Sequence, residues 1–405
     1  MLTGENGILT QAQNAKQSTE NSAEQEKVQI AVAGSRNDDG QLSFEKLKTE
    51  IENQGGTILG DSIPTTIKLN NTLYRINSTG EVTKRISGGT LETVTGTETT
   101  NTTVQDALGN QVVVPAGFKI VNTNDYVTDG IIIEDVSYEN TKGSQFVWIP
   151  VGEINTTDKV TINIELKRYV FNDDGTVNTD LTKAEPRDQV QLTGYSYYYT
   201  EELENSETFN THAKNIATFR TKVENSHGYY IGRYEARDKD ATAKRTNSSS
   251  TTNQVVCTAD NYVYNYVTQA QAATLSRGMY TGTPFESDLI NSYAWDTATL
   301  FLQTIDNRTT DKTKKYSRQN SLNTSLASQG TNNLTDTSKQ DKICNVYDMA
   351  SNCYEWSTET YSLNSYPCTR RGGSYDYSVV STSLRNNIST TDRWGSTSFR
   401  PLLYL

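Results

Sequence analysis

Histidine is nearly missing from this chain: 405 residues include only His212 and His227. That leaves little material for a zinc site of Cys/His spacing or for a histidine-based catalytic triad. No run of about 18 or more apolar residues occurs either, so the sequence as given holds no transmembrane helix. Nor does it open on a signal peptide. Met1 leads straight into a polar, helix-like stretch, and the expectation is that an anchoring segment upstream has been left off or cleaved. Positive charge is the minority sign, with Lys+Arg 37 against Asp+Glu 48 and a net charge of −11. Such a surface repels phosphate backbones and anionic lipid, and no basic patch offsets it. Nucleic acid is therefore not an expected partner, and a membrane is expected only through the missing anchor. Cysteine is sparse: Cys257, Cys344, Cys353 and Cys368 are the only ones. The even count is compatible with two disulfides, and sequence alone leaves the three possible connectivities open.

What is present is polar and rich in tyrosine. Hydrophobic residues make up 34% of the chain, and there are 24 Tyr. A chain of this length folds as two or three units with separate cores. From 8 to about 32 the sequence reads as one long polar helix, with Ala12, Ala15, Ala23, Val28, Ala31 and Val32 as a thin apolar stripe and Gly34 as its end. A short helix follows from about Ser43, with Leu42, Phe44, Leu47 and Ile51 as its apolar face and Gly55-Gly56 as its stop. Ile67 and Leu69, then Leu73, Tyr74 and Ile76, flank Asn70-Asn71 as a hairpin would, before a turn at Ser78-Thr79-Gly80 into Val82. The expected fold class is α+β, beginning with a small module over 1–86.

Residues 87–111 are Gly/Thr/Ser/Asn-rich, as expected of a linker that buries too little to order itself. A second domain is expected over 112–405. The apolar, β-branched runs at 112–118, 130–133 and 146–151 read as buried strands, as does 228–236. Residues 172–215 are polar and Tyr-rich, the composition of an insertion or long loops. Thr268 with Gln271 gives a capping-box helix start, and a helix from about Ser292 carries Ala294, Trp295, Ala298, Leu300, Phe301 and Leu302, with Trp295 expected in the core. Farther on, Gly372-Gly373 implies close backbone approach or a bulge, and Trp356 a core anchor. Arg371 and Arg400 beside Asp348 and Glu355 suggest buried bidentate ion pairs that fix strand register.

Three ordered motifs close the sequence: Asn345-Val346-Tyr347-Asp348-Met349-Ala350-Ser351-Asn352-Cys353-Tyr354-Glu355-Trp356, then Arg370-Arg371-Gly372-Gly373-Ser374-Tyr375, then Ser398-Phe399-Arg400-Pro401-Leu402. Together they resemble the signatures of the formylglycine-generating-enzyme (sulfatase-modifying-factor) branch of the C-type lectin fold, and a looser likeness extends over 116–405. Two departures touch the backbone, Ser351 and Ser398 standing where the family has Gly. A third touches the chemistry. The family's paired copper-binding cysteines would fall just after Ser374, and Tyr375 to Arg385 contains none. Without the soft thiolate ligand for Cu(I), the oxidase activity is not expected, and no cofactor is expected in its place. The family fold would run the strands bearing Cys353 and Cys368 side by side, which implies a disulfide between them and leaves Cys257 with Cys344. The opening segment, Leu2 to Leu9, then Ala12, Asn14, Ala15 and Glu24-Gln25-Glu26-Lys27-Val28, resembles the stretch that follows the anchor of type IV pilin-like surface proteins. That likeness implies display at the cell surface and assembly with other pilin-like subunits.

The window 374–398 holds seven Ser, four Thr, two Tyr, two Asn, two Asp, two Arg and Trp394, without Lys, Glu, Gln, Met or Ala. Rigid aromatics among small adaptable polar groups are the composition of antibody paratopes. The flanking Arg-Gly-Gly and Ser-Phe-Arg resemble the borders of variable proteins of diversity-generating retroelements, whose C-terminal residues are altered at template adenines. An AAC codon so altered reaches Asn, Tyr, Ser, Thr, Asp, Gly, Ile, Val, Leu and Arg, among others, but never Lys, Glu, Gln, Met or Trp; only Trp394 departs from that set. The resemblance therefore implies a non-enzymatic, extracellular binding protein for an unknown protein or glycan. Its expected site residues are Tyr375, Asp376, Tyr377, Ser378, Ser381, Asn386, Asn387, Ser389, Thr391, Asp392 and Trp394. Arg371, Trp356, Arg385 and Phe399 are expected as buried scaffold. The alternatives are a metal-dependent formylglycine-generating oxidase and a purely structural pilus subunit.

Overall fold

The computed structural model describes residues 23–58, 63, 65–69, 72–76, 79–85, 91, 93–123, 125–157, 160–172, 175–177, 190–192, 195–197, 216–240, 243, 245–246, 254–259, 262–306, 315–318, 341–360, 366–376 and 381–405. The fold is mixed α+β and divides into two compact units, Met1–Gly89 and Thr90–Leu405.

In the first unit the helix is described over 23–34; its expected beginning at 8 lies outside the described residues. Val28, Ala31 and Val32 follow helical spacing and are buried. Ser43 caps the next helix, Phe44–Asn53, its hydroxyl accepting from the Lys46 N–H, and Leu47 and Ile51 face inward. Both helices contribute to one core with Ile67, Leu69, Tyr74 and Ile76 from a four-stranded antiparallel sheet. Its strand order is Thr57–Ile58, Thr65–Leu69, Thr72–Ile76, Val82–Arg85. The expected hairpin is the middle pair, in the register Ile67 to Tyr74.

The second unit is built on a six-stranded sheet, ordered Glu286–Leu289, Pro401–Tyr404, Gly228–Gly232, Gln145–Pro150, Ile132–Asp135, Phe118–Ile120. All its pairings are antiparallel. Helices Ile216–Ser226 and Ser292–Ile305 pack against it, the latter held by the Tyr229 hydroxyl donating to Ala294 O at 2.6 Å. Trp295 is fully buried, and Thr268 forms the expected capping box with Gln271 at the start of Gln269–Gly278.

The linker expected over 87–111 is corrected. Strand Thr102–Gln105 pairs with Gln111–Val114, Thr95 bridges to Lys119, and Leu91, Val94 and Val104 lie in the second unit's core. Three well-spaced apolar residues are enough to pin an otherwise polar stretch, and the second unit therefore begins at Thr90 rather than 112.

A smaller sheet carries the window. Its order is Arg385–Ile388, Cys368–Arg371, Tyr354–Thr360, Thr397–Phe399, antiparallel except for the last pair. Gly372 follows the second strand rather than sitting inside it. Its φ of +77° is left-handed, and a Cβ there would come within 2.4 Å of Met349 O, so the close approach read from the sequence is real. At the substituted motif position, Asn352 rather than Ser351 takes the left-handed conformation, with φ 58°.

The expected disulfides are corrected as well: all four cysteines are thiols. The strands of Cys353 and Cys368 do run side by side, but antiparallel register sets Cys368 opposite Thr360 while Cys353 precedes Tyr354 at the other end. Spanning the seven-residue strand at about 3.3 Å per residue separates them by roughly 20 Å, whereas a disulfide needs Cα atoms within about 7 Å. The Cys257 Sγ lies against Gly232, and Cys344 donates its Sγ–H to Thr128 O at 3.2 Å.

Candidate binding face

Beneath the window lies a frame of buried charge. Arg371 donates to Asp296 at 2.5 Å and to Glu359; Arg385 donates to Glu359 at 2.9 Å and to Asp296. Each arginine thus bridges the same two carboxylates, and all four side chains are at most 5% exposed. The square also ties in backbone: Arg371 Nε donates to Leu384 O, Arg385 to Tyr169 O, and the Tyr169 N–H to Asp296. A second cluster pairs Arg400 with Glu355 at 2.6 Å, while Arg400 also donates to Gly232 O and Tyr347 O. Ser398, where the family motif has Gly, donates its hydroxyl to the neighbouring Glu235 at 2.8 Å.

The expected pairing was therefore right for Arg400 and Glu355. It was wrong for Arg371, whose partners are Asp296 and Glu359 instead of Asp348 or Glu355. Forked guanidinium pairing in a dry interior fixes strand register, because a one-residue slip would leave charges buried without partners. The scaffold residues Arg371, Trp356, Arg385 and Phe399 are all buried as expected.

Above that frame the window's side chains divide. Trp394 is 52% exposed, Asp376 and Thr391 are exposed, and Tyr375, Asn386, Ser389 and Asp392 are half-buried. Tyr377 and Ser378 lie outside the described residues. Ser381 is corrected: it is buried, because the turn it opens is bolted down. Trp295 Nε1 donates to Thr382 O, Thr382 Oγ1 to Tyr316 O, and the Ser383 N–H to Ser317 O. Asn387 is half-buried but does not share the face of Asn386. Opposite Thr369, it points to the other side of the sheet, whereas Asn386 pairs with Arg370 on the outer side.

The chain matches no family model, no curated protein and no solved structure.

Arg370 is a member of the face that the sequence reading missed. Its guanidinium lies 4.0 Å from the Tyr354 ring centroid and donates to Asn386 Oδ1 and Thr397 Oγ1, both at 3.2 Å. This cation–π contact and two hydrogen bonds draw a polar row across all four strands of the smaller sheet. Only strand register reveals it, since Tyr354, Arg370, Asn386 and Thr397 are scattered in sequence. At the end of the row, Ser389 and Asp392 close a turn on themselves, the Ser389 N–H donating to Asp392 Oδ2 and the Asp392 N–H to Ser389 O. Burial, reinforced by Cys353, Asp376 and Tyr266, raises the Tyr375 phenol above its ordinary pKa, so it stays a neutral hydrogen-bonding group.

Three of the four cysteines are poorly suited to redox or nucleophilic work. Burial pushes the Cys257 and Cys368 thiols up to about 12 and Cys353 well above its ordinary value, so each resists becoming a thiolate. Among the described residues, no group of three or more His, Cys, Asp or Glu is arranged to hold a metal ion.

Proposed function

We propose that this chain is a cell-surface ligand-binding protein. In this reading a pilin-like first unit displays a second unit of the formylglycine-generating-enzyme type of C-type lectin fold, whose window 374–398 is diversified to recognise a protein or glycan. One observation carries it: within one window, residues that hold the fold and residues that face solvent are cleanly separated. Arg385, Thr382 and Leu384 are buried in the frame, while Asp376, Thr391 and Trp394 stand out from it. Substitution at exposed positions usually costs under about 0.5 kcal/mol, so such a face tolerates sequence change that the frame beneath it does not. Large aromatics dominate interface energetics, which makes Trp394 and Tyr375 its anchors.

The neighbouring DNA tests this directly. A near-copy of the codons for 371–400 should lie beside a reverse transcriptase gene and differ only at adenines. The differences should fall on codons for the exposed Asp376 and Thr391 and the half-buried, outward-facing Asn386, and spare those for Arg385, Thr382 and Leu384. Absence of any such copy, or differences spread evenly over buried positions, would sink the diversification reading. An oxidase reading would instead require turnover of a sulfatase-type cysteine peptide by copper-loaded protein.

A further inference from the structure

The loop that presents Trp394 is gripped from outside the window. The Tyr266 N–H donates to Trp394 O at 3.2 Å, and the Thr397 N–H donates to the same oxygen. Next to it, Asn265 Nδ2 donates to Gly395 O at 2.8 Å. Asn265 is fully buried, and among the described residues its Oδ1 has no partner and the bond to Gly395 is the one polar contact its side chain makes. The Tyr266 ring lies across Gly395: a Cβ added there would meet Tyr266 Oη at 2.8 Å and Cζ at 3.1 Å. Gly395 does not have a left-handed φ, so glycine is needed here for space, not for conformation. Tyr266 itself takes a left-handed φ of 56°, which is costly for a residue with a large side chain and marks a backbone held in place by its surroundings. The residue is half-buried.

We infer that Asn265 and Tyr266 are positioning residues of the binding face, holding the 394–395 loop so that the Trp394 indole is presented in one orientation, with Tyr266 as a fixed aromatic beside it. The consequence for recognition rests on the proposed binding function; the positioning itself does not. A clamped indole loses little freedom when a ligand covers it, so the clamp raises affinity without adding a contact. It also makes one corner of the face constant however the window's other residues vary.

The test needs no ligand and uses the full chain. Trp148, Trp295 and Trp356 are fully buried, so collisional quenching of fluorescence by acrylamide reports on Trp394, and the Trp394→Phe variant should abolish the quenchable fraction. An indole already 52% exposed can become at most about twofold more accessible. Tyr266→Ala should move the quenching constant toward that limit and lower the anisotropy, with the unfolding midpoint retained, whereas Tyr266→Phe should behave as the parent. Gly395→Ala alone should have the same effect by displacing the ring, and in the Tyr266→Ala background it should add nothing. Asn265→Ala should loosen the loop from the other side. Quenching and anisotropy unchanged in Tyr266→Ala, or an equal effect of Gly395→Ala in both backgrounds, would overturn the inference. Lack of any diversified template would leave it standing and remove only the function proposed above.

Discussion

Arg385 lies in the middle of the window 374–398 yet belongs to the frame, and replacing it with alanine should separate the two roles. The change deletes charge-assisted bonds to Asp296 and Glu359 and the bond to Tyr169 O. Both carboxylates keep Arg371, and Asp296 also keeps the Tyr169 N–H at 2.9 Å. Breaking one partner out of a buried pair costs about 3–5 kcal/mol, and the surviving arginine puts Arg385→Ala near the lower end. That is a large part of the roughly 5–15 kcal/mol by which a domain is stable. Thr391→Ala, in the same window but exposed, should cost under about 0.5 kcal/mol. Arg385→Lys should fall between, since a point charge cannot fork to two acids. All four tryptophans lie in the second unit, so urea unfolding read by their fluorescence reports that unit alone. If Arg385→Ala came within about 1 kcal/mol of Thr391→Ala, the square would not be holding the sheet.

Two further outcomes are expected. Denatured, unreduced protein should titrate as four thiols, while in the native state Cys257, Cys353 and Cys368, none more than 1% exposed, should stay unreactive. Fewer than four after denaturation would contradict the free thiols, and a bridge mapped to Cys353 and Cys368 would contradict the strand register that separates them. Burial, with Glu355 adding to it, raises the pKa of Glu235 well above the ordinary 4.5. The folded state therefore holds a proton that the unfolded state releases, and this group's contribution is fully present below about 4.5 and is lost as the pH rises toward the folded pKa. Glu235→Gln keeps an acceptor for Ser398 and removes the proton, so its stability relative to the parent should increase as the pH rises from about 4.5 to 7. A difference independent of pH would show that Glu235 is ionised in the folded protein.

Local features were legible in the sequence because they are written in neighbouring residues. The Ser43 and Thr268 caps, the hairpin around Asn70-Asn71, the buried Trp295 and the tight approach at Gly372 all fall within a few positions of the residues that cause them. Pairings across distance were not. Asp296 and Arg371 are 75 residues apart, and nothing in either neighbourhood says they meet. The linker reading failed because it weighed average composition, whereas Leu91, Val94 and Val104 act through burial at three points. The disulfide reading took adjacent strands correctly but lacked their direction, and direction decides which ends meet. Within the window, alternation explains why Asn386 joins the outer face and Asn387 does not, a distinction that needs register as well as composition.

Strand Pro401–Tyr404, encoded after the window, lies between Glu286–Leu289 and Gly228–Gly232 in the central sheet and is buried along its whole length. Its partner at Tyr230 to Ile231 is made some 170 residues earlier, so during synthesis the sheet waits incomplete until the ribosome has passed through the window. Any shift of reading frame within 374–398 would erase that strand along with the Arg400 cluster. Reading frame is thus checked by the fold itself: products with the frame intact can close their core, and those with a shifted frame remain open to degradation.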